Sequence, residues 1–326
     1  MLGQFGIMPS TVSDVQTFTA NSRIIGETWA TWTKRRGVSM VQIICIGGGA
    51  AGGNGAIGAN GLGGGGGGGG SANVSFLTIP AILIPDQLLV SVGYGGVAAT
   101  SGTPVSGIAS YVAVQKLTSA GAGILAQYTL LMASGSAGAS GMNASGGTAG
   151  AAGAQPAADT SASCSLCNLG QSTFIRGLAG TVGGTSATTA TVGGALTYTS
   201  SMGITMPATG GGGVHQTAAN AGFAGGAVQA LANSVYFGQP IASGGTNAAL
   251  AAHGGHGYQT VAGLLSFTGA SGGGAGYSAA GSFIAGGRGG NGAIGGGGGG
   301  SGGSFTGATA PMPGNGGDGL VIIMAW

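Results

Sequence analysis

Charge is what this sequence has least of. Of 326 residues, 7 are lysine or arginine and 5 are aspartate or glutamate, 4% charged in all, with a formal net charge of +2. An ordinary soluble domain is about a quarter charged. So few cations exclude the positive footprint by which proteins hold nucleic acid, and no nucleic-acid partner is expected. The one basic cluster, Lys34-Arg35-Arg36, reads as a solvated turn. The five acids, Asp14, Glu27, Asp86, Asp159 and Asp318, are scattered. They supply no carboxylate pair of the kind a glycan-cleaving enzyme needs. Asp318, in the stretch GNGGDGL, reads as a turn residue feeding the last strand. A weakly charged, near-neutral surface favours association, which points to a subunit of a larger assembly.

Cysteine and long apolar runs are scarce too. Three cysteines make no disulfide framework. Cys45 sits in a strand-like run and is expected in the core. Cys164-x-x-Cys167 is half of a zinc or redox motif without its other half, and reads as a buried or incidental thiol pair. His253-Gly254-Gly255-His256 places two imidazoles on a glycine loop, short of the ligand number a structural metal site requires. A polar loop tip is the simpler reading, and no metal is expected. The longest apolar region, Leu77 to Val92, is broken by Pro80, Pro85 and Asp86 and falls short of the roughly 20 residues of a membrane span. No membrane insertion is expected. The opening residues lack the basic stretch and apolar core of a signal peptide. Nine prolines and no strict triplet period exclude collagen.

What is present is glycine, 80 residues of it, together with 43% hydrophobic residues and a mean hydropathy of +0.42. That apolar content separates the chain from glycine-rich disordered sequences. Val41-Gln42-Ile43-Ile44-Cys45-Ile46 is a short β-branched run ending in glycine, so it reads as a buried strand. Leu320 to Trp326 has the same character, and the two are expected side by side in one sheet. Further strands are expected at Thr17–Thr19, Asn21–Glu27 and Thr28–Thr33, and at Ala72–Pro80, Gln87–Gly93, Ser110–Val114 and Gln127–Met132, with a turn at Lys34–Gly37. The fold class that follows is all-β: a glycine-rich β-sandwich with its terminal strands paired and little or no helix. Residues 1–16 read as an arm or linker. Residues 17–326 read as one domain, strand-rich over 17–132 and built of glycine-rich loops with a closing strand over 133–326.

Ordering glycine costs more backbone entropy than ordering any other residue. Bare backbone can pack tightly in polyproline-II form, three residues per turn, but that form has no internal hydrogen bonds. Each buried amide must then bond to a neighbouring segment. The recurrence of tracts at Gly63–Gly70, Gly210–Gly213, Gly272–Gly274 and Gly295–Gly300 is what makes order plausible, because several tracts can satisfy one another. Gly47-x-Gly49-x-x-Gly52 matches the dinucleotide fingerprint in letters. Its continuation is too glycine-rich for the helix that would hold the pyrophosphate, and no acid follows until Asp86. A phosphate loop is excluded, since neither lysine follows a glycine. No nucleophile, base and orienting group come together, so neither an enzyme nor a cofactor is expected.

Thr17-Phe18-Thr19, Trp29, Trp32-Thr33-Lys34, Gly37-Val38, Val41-Gln42-Ile43 and Gly47-Gly48-Gly49 together resemble the opening of the glycine-rich domain of phage tail fibres and related virion adhesins. Gly314 to Ile323 with Trp326 looks like the closing strand of that family, so the likeness brackets residues 17–326. Arg35 departs from the pattern, standing where the family usually has proline. The resemblance implies a virion structural protein, a tail fibre or tail-tip adhesin contacting a host surface receptor through its loops. It also implies a homotrimer and partners among other virion proteins. The alternative within the virion is a capsid decoration or a neck or tail subunit without receptor binding. Aromatic and imidazole side chains on pre-organised loops suit recognition, since little entropy is lost on contact. Tyr236, Phe237, His253, His256, Tyr258 and Tyr277 are therefore the expected receptor contacts.

Overall fold

Alternating apolar side chains make strands here, and the strands gather into two main sheets. The computed structural model describes residues 14–20, 29–58, 63–99, 103–114, 129–133, 141, 143–145, 148–156, 170–185, 191–197, 209–212, 223–229, 245, 253–256, 259–260, 266–267, 285–305, 309 and 311–326. In chain order the strands are β1 (Asp14–Thr19), β2 (Ala30–Thr33), β3 (Met40–Ile46), β4 (Ile57–Gly58), β5 (Val74–Pro80), β6 (Gln87–Ser91), β7 (Ser110–Ala113) and β8 (Thr129–Ala133). They continue with β9 (Gln171–Ile175), β10 (Leu196–Thr197), β11 (Val228–Gln229), β12 (Gln259–Thr260), β13 (Ser266–Phe267), β14 (Ser304–Phe305) and β15 (Leu320–Ala325). One 3-10 turn, Ala81–Leu83, is the only helical element among the described residues. The fold is all-β, as expected. β1 begins at Asp14, so three residues assigned to the arm lie in the sheet.

The first sheet has the order β1-β15-β3-β5-β9 and is antiparallel throughout. Ile43 pairs with Ile323 and Ile44 with Ile322, so the two apolar runs from opposite ends of the chain lie side by side at the sheet's centre. The second sheet, β2-β6-β7-β8, is also antiparallel. Val41, Ile43 and Cys45 of β3 join Leu77, Ile79, Val321 and Ile323 in one cluster with Trp32, Leu88, Val90 and Val112 of the second sheet. The alternate residues Ile44 and Ile46 form a separate cluster with Val74, Leu320 and Met324, against which Ala293 and Ile294 pack. Both faces of β3 are thus buried, which is why it reads as a run that is apolar but for Gln42. Each such Val, Ile or Leu side chain contributes about 1.5–3 kcal/mol on burial. β9 completes the sheet from a stretch that carried no strand expectation.

The turn ahead of β3 is built by Lys34 rather than left to solvent. Its Nζ donates to the carbonyls of Ala81 (3.0 Å) and Ile84 (2.9 Å) and pairs with Asp86 at 3.1 Å. Gly37 turns with φ +85°, where a side chain would be strained. Trp326 then exchanges backbone hydrogen bonds with Met40, tying the last residue to the start of β3.

Beyond this sandwich the register of the first sheet runs straight on into glycine. The β3–β15 pairing ends at Ile46–Leu320 and continues as Gly49 N–H to Gly317 O (2.9 Å) and Gly52 N–H to Gly314 O (3.0 Å). The β3–β5 pairing ends at Ile46–Val74 and continues through Ala50–Gly70, Gly53–Gly67 and Ala56–Gly64. The β5–β9 pairing ends at Val74–Ile175 and continues through Ser71–Leu178, Gly68–Thr181 and Gly65–Gly184. The bonds now recur every third residue, the period of a polyproline-II helix. A strand has two faces and bonds sideways only. A three-fold helix has three and can bond in every direction across a lattice.

Gly63–Gly70 lies wholly inside that lattice, and all eight residues are buried. Gly66 and Gly69 donate to Ser301 and Gly298, both at 2.9 Å, while Gly150 and Gly153 donate to the carbonyls of Gly65 and Gly68. A turn at Ala293–Gly296, with Gly295 at φ +67°, folds segment 285–292 back on 296–303, where Gly299 and Gly302 donate to Gly290 and Gly287. Neighbouring segments run both parallel and antiparallel. A Cβ on Gly49, Gly52 or Gly55 would collide with the backbone of Gly296, Gly299 or Gly302. This explains the spacing of Gly49, Gly52 and Gly55: every third residue faces the adjacent segment and must be bare. Minor two-stranded pairings β4–β14, β10–β11 and β12–β13 complete the described structure.

Candidate functional site

Where a lattice segment reaches the surface, side chains take over the bonding that a further segment would have supplied. The N–H of Arg288 donates to His253 Nδ1 at 3.0 Å, and the N–H of Asn291 donates to His256 Nδ1 at 2.9 Å. The next segment repeats the device: Asn315 N–H donates to Asn291 Oδ1 at 2.9 Å. Ala98 N–H donates to Asn315 Oδ1 at 2.7 Å, and Gly95 N–H donates to Asp318 Oδ1 at 2.9 Å. The bonded residues are spaced by three within each segment, so the row is the lattice period written in side chains. Asp318 lies in an extended segment and closes this row, not the turn its neighbours imply.

All of these but Gly95 and Asp318 line a cavity of about 340 Å³ on the flank of the lattice, bounded by Ala98, His253, Gly254, His256, Arg288, Gly289, Asn291, Met312, Pro313 and Asn315. Asn315 is five residues from β15, about 15 Å along the segment at the rise of a polyproline-II helix. His253, His256, Arg288 and Asn291 are exposed. Among the described residues no carboxylate lines the cavity.

A neutral imidazole that accepts at Nδ1 carries its proton on Nε2. A metal-ligating imidazole instead donates its second N–H to a supporting acceptor. Both histidines here face backbone donors, so the pair is arranged to hold two segments in register and not to hold a metal. Among the described residues no group of three metal-ligating side chains occurs.

Of the expected contact residues, the structure brings His253 and His256 together in this cavity. Tyr236, Phe237, Tyr258 and Tyr277 lie outside the described residues, as do Cys164 and Cys167. Arg288, Asn291 and Asn315 were not foreseen. Their signal was the shared spacing of three in His253/His256, Arg288/Asn291 and Met312/Asn315, which acquires meaning only once the lattice period is known. Cys45 is fully buried in the core, as expected.

Two β-sheets prolonged by a glycine lattice, with a polar cavity on its flank, define the class: an all-β, glycine-rich protein. The chain belongs to the family described as the glycine-rich domain, which residues 24–227 match, more than half its length. No match is found among curated proteins. Of the residues lining the cavity, only Ala98 falls within the matched span.

Proposed function

We propose that the protein is a bacteriophage virion structural protein, a tail fibre or tail-tip adhesin, that contacts a host surface receptor through its glycine-rich part and catalyses no reaction. The observation that carries this reading is the polarity of the fold. Asp14 pairs with Ala325 at one pole of the first sheet, while the glycine-rich segments joined to β3, β5, β9 and β15 all leave from the other. Whatever precedes Asp14 joins the domain at the sandwich pole, and the lattice points away from it. At the sandwich pole Ile82 is 89% exposed on the β5–β6 turn, an apolar contact for another virion protein. The lattice hydrogen bonds run between segments of one chain, so a homotrimer would assemble through outer surfaces and leave the segments intact.

Adsorption tests this directly. Purified protein is expected to bind host cells and, added in excess, to block infection; absence of both overturns the adhesin reading. Imaging of labelled particles separates the structural alternative, since many copies on the head would mark a decoration protein and a few at the tail end an adhesin.

A further inference from the structure

We propose that the cavity flanked by His253, His256 and Arg288 is a binding site for an anionic sugar, one whose ring carries a carboxylate or phosphate. The inference deepens the adhesin reading and rests on it. Each side-chain acceptor atom that lines the cavity already takes one backbone N–H. Nδ1 of both histidines, Oδ1 of Asn291 and Oδ1 of Asn315 each accept one. The amide orientations follow, because an N–H donor demands oxygen and not nitrogen opposite it. What is left over is uniform in sign: Nε2–H of His253 and His256, Nδ2–H₂ of Asn291 and Asn315, and the guanidinium of Arg288, all of them donors. Among the described residues no carboxylate pairs with Arg288; the one ion pair there is Lys34–Asp86.

A cavity whose free side-chain groups all donate favours a ligand group that only accepts. An ionised carboxylate or phosphate is such a group, and a guanidinium fits it bidentately. Neutral sugar hydroxyls, which donate as well as accept, are matched less well. Met312, Pro313 and Ala98 supply an apolar wall for the C–H face of a ring, and about 340 Å³ falls in the range of small-ligand sites. The site is pre-organised, since the backbone N–H groups bonded to these side chains also hold them in place.

The test is titration calorimetry on the full chain with tetragalacturonate, its methyl ester, glucose 1-phosphate and tetraglutamate. Binding of tetragalacturonate or glucose 1-phosphate is expected, and which of the two binds more tightly assigns the anion to a carboxylate or a phosphate. The ester should bind at least about tenfold more weakly, the loss of one charge-assisted hydrogen bond. Asn291→Asp is the informative variant. It keeps Oδ1 for the N–H of Asn315, so the lattice is retained, yet it replaces the outward donor by negative charge. Arg288→Gln removes the cation from an exposed position. Each should weaken binding at least about tenfold with an unchanged amide exchange pattern. Equal binding of acid and ester, equal binding of tetraglutamate, indifference to both variants, or no binding by either anionic sugar overturns the proposal. Adsorption to cells with no anionic-sugar binding refutes this inference alone, whereas sugar binding without adsorption refutes the adhesin reading alone.

Discussion

Gly52 shows how a residue with no side chain can be harder to replace than a core isoleucine. A Cβ at this position meets the backbone of Gly299, which is itself bonded on its other sides and has no room to withdraw. Gly52→Ala is therefore expected to destabilise by about 3 kcal/mol or more, as overpacking against rigid surroundings does. A shift in denaturation midpoint at constant slope would measure it. Lys34 makes the complementary case for a charged residue. Its side chain is 17% exposed and bonded to two carbonyls, while its partner Asp86 is 87% exposed. Lys34→Met should cost about 2 kcal/mol through the abandoned carbonyls. Asp86→Asn should cost under about 1 kcal/mol, as for any solvated pair. Equal losses in the two variants would show that the ion pair, and not the carbonyl bonding, holds the turn.

At the scale of elements, the octaglycine stretch behaves as a structural member. Gly65, Gly66, Gly68 and Gly69 donate to four separate carbonyls, and the whole stretch is buried. Their amides should exchange with solvent as slowly as those of β3, by hydrogen exchange read with residue resolution. Exchange at the rate of a free glycine peptide would contradict the lattice. The strands of the sandwich were legible because side chains label them: alternation and β-branching mark β3, β5 and β15, and Trp32 marks the buried position of β2. Glycine carries no such label, so nothing in Gly63–Gly70 says which of its neighbours will be Gly298 and which Thr181. β9 was missed for a related reason, since Gln171–Ile175 offers only Phe174 and Ile175 to an apolar reading. The cavity was half legible. Two imidazoles stand out in a chain with three histidines, but their partners Arg288 and Asn291 are 35 residues away, joined by a register that only folding reveals.

For the whole molecule the three-residue repeat sets a rule on how the chain can change length. Slipping a lattice segment by a full turn returns each bare face to an equivalent neighbour, whereas slipping it by a single residue rotates it by about 120° and aims its donors at nothing. Adding three glycines to Gly63–Gly70 should preserve cooperative unfolding, the surplus turn being passed into the adjoining loop; adding one should abolish it, and thermal melts of the two variants would tell them apart. The glycine part of this protein thus has something like a reading frame of its own, written in the folded backbone instead of the gene, and its loops are free to vary so long as that frame is kept.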